Sequence, residues 1–146
     1  MNEEKFHVGV KALIVNDANK ILILKTNPKE AGHYHPEHWD LPGGRIKIND
    51  SIEETLRKEI EEELGISAIE ILELFDTHIS NLKIPAGGEM VGIFMVIYKC
   101  KIPDEKIKLS FEHLEYKWVS VDKAKELLKV KFANSFIEKL SQLETP

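Results

Sequence analysis

The sequence predicts an α/β domain in which helices pack on a mixed sheet, and three observations lead there. Strand-like runs recur along the chain, and one central and one terminal helical pattern are set among them. No repeat, low-complexity tract or Pro/Gly/Ser-rich linker divides the 146 residues, so one domain is expected over residues 1–146. A chain of this size buries roughly 70% of its unfolded surface and needs no staple. The lone Cys100 agrees, since one thiol cannot form an internal disulfide.

Phe6 to Val15 reads as a strand and Lys20 to Lys25 as its hairpin partner, across the turn Asn16-Asp17-Ala18-Asn19. The polar stretch from Thr26 to Asp40, with Pro28, Gly32 and Pro36, reads as a long loop of the functional kind, and Asp40-Leu41-Pro42-Gly43-Gly44 as a turn. Ser51 to Leu64 reads as a helix, with Ser51 as N-cap, Glu54 completing a capping box, and Gly65 closing it. Ile69 to Ser80 and Val91 to Ile102 are β-rich and joined by a turn around Pro85-Ala86-Gly87-Gly88. Glu115 to Val121 is a further short strand. Val121 to Leu128 and Asn134 to Leu143 read as helices, the last with Phe136, Ile137 and Leu140 at helical spacing.

The chain holds 20 Lys+Arg and 25 Asp+Glu, a net charge of -5. Between Asp50 and Gly65 seven acids stand with two bases, and the remaining residues carry 18 of each, so the whole excess is local. No clustered basic face exists to drive counterion release from a nucleic-acid duplex. The acidic focus points to cations instead. No apolar run approaches the roughly 20 residues that span a bilayer, and the start MNEEKFHVGV is acidic where a leader is basic. The expectation is a cytoplasmic protein without a membrane partner, monomeric or homodimeric.

Along the central helix, Ile52, Leu56, Ile60 and Leu64 form one apolar stripe. Glu59, Glu62 and Glu63 fall at i, i+3 and i+4 and share a face beside that stripe, with Glu63 at the angle of Ile52 and Leu56, whereas Glu54 and Glu61 face solvent. Carboxylates gathered at the edge of a buried face repel one another and call for a cation, Mg²⁺ above all. A charge-rich solvated helix is the plain alternative. Gly43-Gly44 upstream weighs against it, because backbone without Cβ lets a metal–pyrophosphate group approach.

At this point the segment GGRIKINDSIEETLRKEIEEELGI resembles the Nudix box, whose pattern is G-x5-E-x7-R-E-U-x-E-E-x-G-U with U a bulky aliphatic residue. Gly44, Glu59, Ile60, Glu62, Glu63, Gly65 and Ile66 match without a gap, while Asp50 and Lys58 stand where the family prefers Glu and Arg. Lys47 and Asn49 also replace commoner residues in the turn, and Asn tolerates a left-handed backbone. The resemblance extends over nearly the whole chain and implies the Nudix fold, an α/β/α sandwich with a mixed β-sheet. It implies hydrolysis of a nucleoside diphosphate linked to another group, with Mg²⁺ (Mn²⁺ as a substitute) held by Glu59, Glu62, Glu63 and the Gly43 carbonyl. It gives Lys58 the place of a residue that orients a catalytic Glu, and it gives the proton of water to one carboxylate, either a box glutamate or a residue of a later loop, for which Glu112 is the candidate, with a plain loop acid as the alternative.

Three further residues are candidates for substrate binding. Gly44 offers its backbone, Arg45 meets a phosphate or forms a surface ion pair, and Trp39 stacks on a base or fills the core. His33, His35 and His38, with Tyr34 between, fit no ordinary zinc pattern. Relatives that hydrolyse ADP-ribose tend to carry proline where this chain has Asn81 and Leu82, and dinucleoside-polyphosphate hydrolases tend to carry tyrosine where it has Lys83 and Ile84. The resemblance therefore falls on the MutT-like group, which converts a nucleoside triphosphate to monophosphate and pyrophosphate. A nucleotide-binding domain of weak turnover, and a hydrolase of ADP-ribose or dinucleoside polyphosphates, are the alternatives.

Overall fold

The computed structural model describes residues 2–29, 35–103 and 106–144. These form eight strands, β1 (Phe6–Ile14), β2 (Ile21–Thr26), β3 (Trp39–Asp40), β4 (Gly43–Arg45), β5 (Glu70–Ile79), β6 (Ile84–Ala86), β7 (Glu89–Lys101) and β8 (His113–Val119). Three helices, α1 (Ile52–Leu64), α2 (Val121–Leu128) and α3 (Asn134–Lys139), complete the described part, with a 3₁₀ segment over Leu140–Glu144.

One sheet runs β4-β1-β7-β5 and the other β3-β2-β8. β1 pairs in parallel with β7, from Phe6 opposite Gly92 to Ile14 opposite Cys100, and its other edge takes β4 antiparallel. β1 is buried on both faces from Gly9 onward, which is why VGVKALIV reads as a near-continuous apolar run rather than an alternation. Val10, Ala12 and Ile14 face α1, together with Leu22 and Leu24 of β2. Leu13, Ile23, Met95 and Ile97 face α2 and α3 through Ala124, Leu128, Phe132 and Phe136. Helices thus cover both faces of a mixed sheet, the α/β/α arrangement expected.

α1 forms where its caps and stripe place it. Ser51 Oγ accepts the Glu54 N–H at 3.1 Å, and Gly65, at φ 70°, donates its N–H to the Glu61 carbonyl. Leu56, Ile60 and Leu64 are fully buried, each contributing about 1.5–3 kcal/mol against the sheet. Ile52, expected in the same stripe, sits at the rim and is exposed. Asn49 adopts φ 71° and holds the turn that leads into the helix.

Several boundaries differ from the expected ones. The expected turn Asp40 to Gly44 is a crossing between sheets: Trp39 and Asp40 pair with β2, Gly43 to Arg45 pair with β1, and the Pro42 carbonyl between them accepts the Ala12 N–H. The loop from Thr26 accordingly ends at β3, and its His33 and Tyr34 lie outside the described residues. β6 adds a short strand at Pro85, pairing with β7 across Gly87 and Gly88. β8 begins at His113 and ends at Val119 because Ser120 caps α2. The last helix gives way to 3₁₀ geometry at Leu140, whose N–H reaches the Ile137 carbonyl three residues back. Cys100 is packed in the core, and burial pushes its thiol up to about 12. None of the described helices is long and apolar enough to cross a membrane.

Candidate active site

The site is a cleft where β1, β4 and α1 meet the segments around residues 82–84, 112–113 and 131. Its first wall follows from two glycines. Gly43 has φ 141°, and a Cβ there would lie 2.0 Å from the Val10 carbonyl oxygen, so only glycine lets β4 lie so close to β1. A Cβ on Gly44 would lie 2.4 Å from Glu59 Cδ, so the Glu59 carboxyl occupies the space that a side chain would fill.

Glu63 is turned further in. Its Oε1 accepts the Gly43 N–H at 2.7 Å, and its Oε2 lies 3.6 Å from His113 Nε2. Burial pushes its carboxyl up to about 8, against the opposing pull of Lys11 and the Gly43 N–H. Glu59 is raised in the same direction, by burial and then by repulsion from Glu62, with Glu112 adding to it. Glu62 is exposed. Among the described residues no three His, Cys, Asp or Glu side chains are already gathered as a metal cluster. Glu59 and Glu63 share the glycine wall, and Glu62 stands outside it.

The C-terminal end of α1 brings the later loop over this wall. The Leu64 and Glu63 carbonyls, left free by the end of the helix, accept the N–H groups of Lys108 and Ser110 at 2.9 and 3.2 Å. Asn27 fixes the same loop from the other side, donating its N–H to the Glu112 carbonyl and its Nδ2 to that of Phe111. Glu112 thereby lines the cleft within electrostatic reach of Glu59.

The opposite wall holds groups that the sequence reading passed over. Asp40 Oδ2 lies 3.2 Å from Lys11 Nζ and 2.6 Å from Lys131 Nζ, all three buried or nearly so, and Asp40 Oδ1 accepts the Leu41 N–H at 2.8 Å. Burial by itself would raise the Asp40 carboxyl; the two ammoniums outweigh it and hold the group well below the ordinary carboxylate range. Burial lowers Lys131, while Lys11, close to Glu63 and Glu59 as well, is raised despite its own burial. Lys11 had a signal in the sequence, a single charge inside an apolar strand. Lys131 and His113 had none.

Other expected residues fall elsewhere. Arg45 lines the cleft, with Nη1 3.4 Å from His7 Nδ1. Trp39 is outside the cleft lining: it packs against the core while the ammoniums of Lys25 and Lys117 lie 5.8 and 5.2 Å from its ring centroid. Lys58 points away from the cleft to Asp50, 3.0 Å distant. The two departures from the family pattern thus answer each other. His35 and His38 do reach the cleft, the first bonded to the Lys83 carbonyl and the second to that of Pro36.

A model of the NUDIX domain matches residues 5–140. The nucleoside triphosphatase NudI of Escherichia coli O139:H28 is 32% identical over 111 residues, covering 73% of this chain and 77% of that protein. Among solved structures, the MutT protein of Methanosarcina mazei Go1 aligns with a TM-score of 0.75 at 23% identity, covering 100% of both chains. An Ap4A hydrolase of C. elegans aligns with a TM-score of 0.65 at 22% identity, covering 93% of this chain and 96% of that one. At such identities the structural likeness shows the fold.

Proposed function

Given that the chain belongs to the NUDIX domain family and is a hydrolase of that family, we propose that it cleaves nucleoside triphosphates to the monophosphate and pyrophosphate with a divalent metal. The observation that carries this reading is the pair of carboxyls, Glu59 and Glu63, folded onto Gly43 and Gly44 beneath Glu112. The name of the NudI relative, a nucleoside triphosphatase, supports the choice of substrate.

The donors fit Mg²⁺. They are all oxygen, the preference of a hard cation, and a buried carboxyl held near 8 is one whose ionised form lacks a cation of its own. Glu59, Glu62, Glu63 and the Gly43 carbonyl would hold the ion, whose chemistry is to neutralise charge on the phosphates and to acidify water. Glu112 takes the proton from the attacking water at its carboxylate. Water adds to one of the two phosphorus atoms that flank the oxygen bridging the α- and β-phosphates, the bond from that phosphorus to the bridging oxygen breaks, and the group on the far side of that oxygen leaves with the electron pair. Arg45 offsets charge on the substrate phosphates. Lys11, donating to Asp40 and, at 3.5 Å, to the Gly43 carbonyl, keeps the glycine strand in place. Lys58 and Asp50 pair with each other outside the cleft lining, with Lys58 still within electrostatic reach of Glu62.

A release assay over ribo- and deoxynucleoside triphosphates, ADP-ribose and dinucleoside polyphosphates, with Mg²⁺ and Mn²⁺, tests the reading. Pyrophosphate and monophosphate from triphosphates are expected. Binding without release from any of them would overturn it.

A further inference from the structure

We propose that His78 is a pH-sensitive latch: while neutral it holds α3 and the Lys131 side of the cleft against β5, and taking up a proton releases them. The latch belongs to the fold and does not depend on which nucleotide the cleft takes.

α3 needs such a hold. It has six residues, and Ala133 at its N-cap makes no side-chain hydrogen bond to it. A helix this short is marginal in water by itself and stands on what it packs against. On β5 that support is an aromatic stack. The His78 ring lies on Phe136 with 5.1 Å between centroids and 28° between planes, Phe132 lies 5.7 Å from it, and Phe75 meets Phe136 edge-on at 5.9 Å. Beside the stack Asp76 joins strand to helix. Its Oδ2 accepts from His78 Nδ1 at 2.9 Å, and its Oδ1 lies 3.7 Å from Lys139 Nζ.

The two nitrogens of His78 are unequally placed. The carboxylate draws the ring proton to Nδ1, so Nε2 is a bare acceptor, buried and without a hydrogen-bond partner among the described residues. A second proton there would make an N–H with nothing to accept it, on a side chain 3% exposed. Asp76 is the charged group that acts on the ring, and Lys139 of α3 shares it. Glu138, the acid of α3, pairs with Asn134 at the surface, Met95 opposite His78 on β7 brings no charge, and the Lys131 ammonium is turned to Asp40. Burial accordingly outweighs the pull of Asp76 and lowers the imidazole from its ordinary 6.5. The folded chain binds this proton less readily than an opened one, so the hold is full above 6.5 and is lost as pH falls below it.

The release reaches the cleft because β5 runs on into the segment that grips Lys131. Ser80 Oγ donates to the Lys131 carbonyl at 3.0 Å, the Asn81 N–H donates to the same carbonyl at 2.8 Å, and Asn81 Nδ2 donates to the carbonyls of Lys129 and Phe132 at 3.1 and 3.0 Å. Phe132 belongs to both the stack and this grip. Freeing the stack therefore loosens, as one local unit, the backbone that carries Lys131 to Asp40.

Hydrogen exchange of the full chain at pH 7.5 and 5.5, read by NMR, tests the latch. Phe136 and Ile137, whose N–H groups reach the Ala133 carbonyl, report on α3, and the Asn81 N–H reports on the grip. Their protection factors, corrected for the intrinsic exchange rate, should fall about 5-fold to 10-fold at the lower pH, the factor set by one proton taken up on a freed imidazole. His78→Phe keeps a ring in the stack but cannot titrate, and His78→Asn keeps an N–H for Asp76 without titrating; in either the fall should shrink to about 2-fold or less. The titration of the His78 ring in the unaltered chain, followed at its Cε1 proton, needs no variant, and its midpoint should lie below 6.5. Constant protection in the unaltered protein, the same fall in the variants, or a midpoint at or above 6.5 would overturn the proposal.

Discussion

Glu63 and Asp40 are buried carboxyls on facing walls of one cleft, and their proton affinities move in opposite directions. Burial raises both. The difference lies in direct partners: Asp40 has two ammoniums within 3.2 Å, while Glu63 has an amide N–H and an imidazole at 3.6 Å. One wall is thus closed electrostatically and the other left short of a cation. A carboxylate already neutralised by lysines has little to offer a metal, so Asp40 holds the wall together while Glu63 is left for chemistry.

The sharpest way to break the comparison is Glu63→Gln. The amide keeps an acceptor for the Gly43 N–H, so the fold should stand while turnover of the best triphosphate falls roughly 10³-fold at saturating Mg²⁺. Turnover near that of the unaltered protein would show that Glu63 is a structural acid like Asp40. The converse variant, Asp40→Asn, leaves Lys11 and Lys131 buried without their counter-charge and should cost about 3–5 kcal/mol in urea unfolding. It should also change the pH profile. Asp40 holds its proton more weakly in the folded chain, so the unfolded chain takes up protons first: the stability Asp40 provides is present above the ordinary value of 3.8 and is lost as pH falls below it. Unfolding midpoints measured across that range should decline less steeply in the variant.

Gly44→Ala should act on the metal wall alone. Its methyl would meet the end of the Glu59 side chain rather than backbone, so the melting temperature should stay close while kcat falls about 10-fold to 100-fold from the displaced carboxyl. Smallest of all is Lys58→Ala. The ammonium is exposed and its ion pair is with Asp50, so neither kcat nor the melting temperature should move appreciably; a large loss of kcat would restore Lys58 to the catalytic groups.

The two walls also differ in how far the sequence discloses them. The metal wall is local: Gly43, Gly44, Glu59 and Glu63 are joined by one turn and one helix, and helical periodicity alone sets Glu63 inward among the buried positions. Most strands, α1 and the α2 range are legible for the same reason. The opposite wall is assembled from three distant segments, with Lys131 reaching Asp40 across 91 positions, and no periodicity links them. Asp40 reads as a turn residue because its neighbours are Pro42 and glycines, although it ends a strand. Trp39 reads equally as a base platform or as packing, and only the lysines over its ring and its place on the core decide for packing.

The parallel pairing of β1 with β7 carries a consequence for the order of assembly. Its register joins Phe6 to Gly92, more than half the chain apart, so this central ladder closes only after a long segment has been gathered. β1, β2, β4 and α1 are shorter-range neighbours and need none of it. A chain emerging from the ribosome amino end first therefore presents the glycines and carboxylates of one wall before Lys131 exists to face them. During synthesis the half-made cleft already holds Lys11 and Asp40 opposite the carboxylates, and Lys131 joins them last.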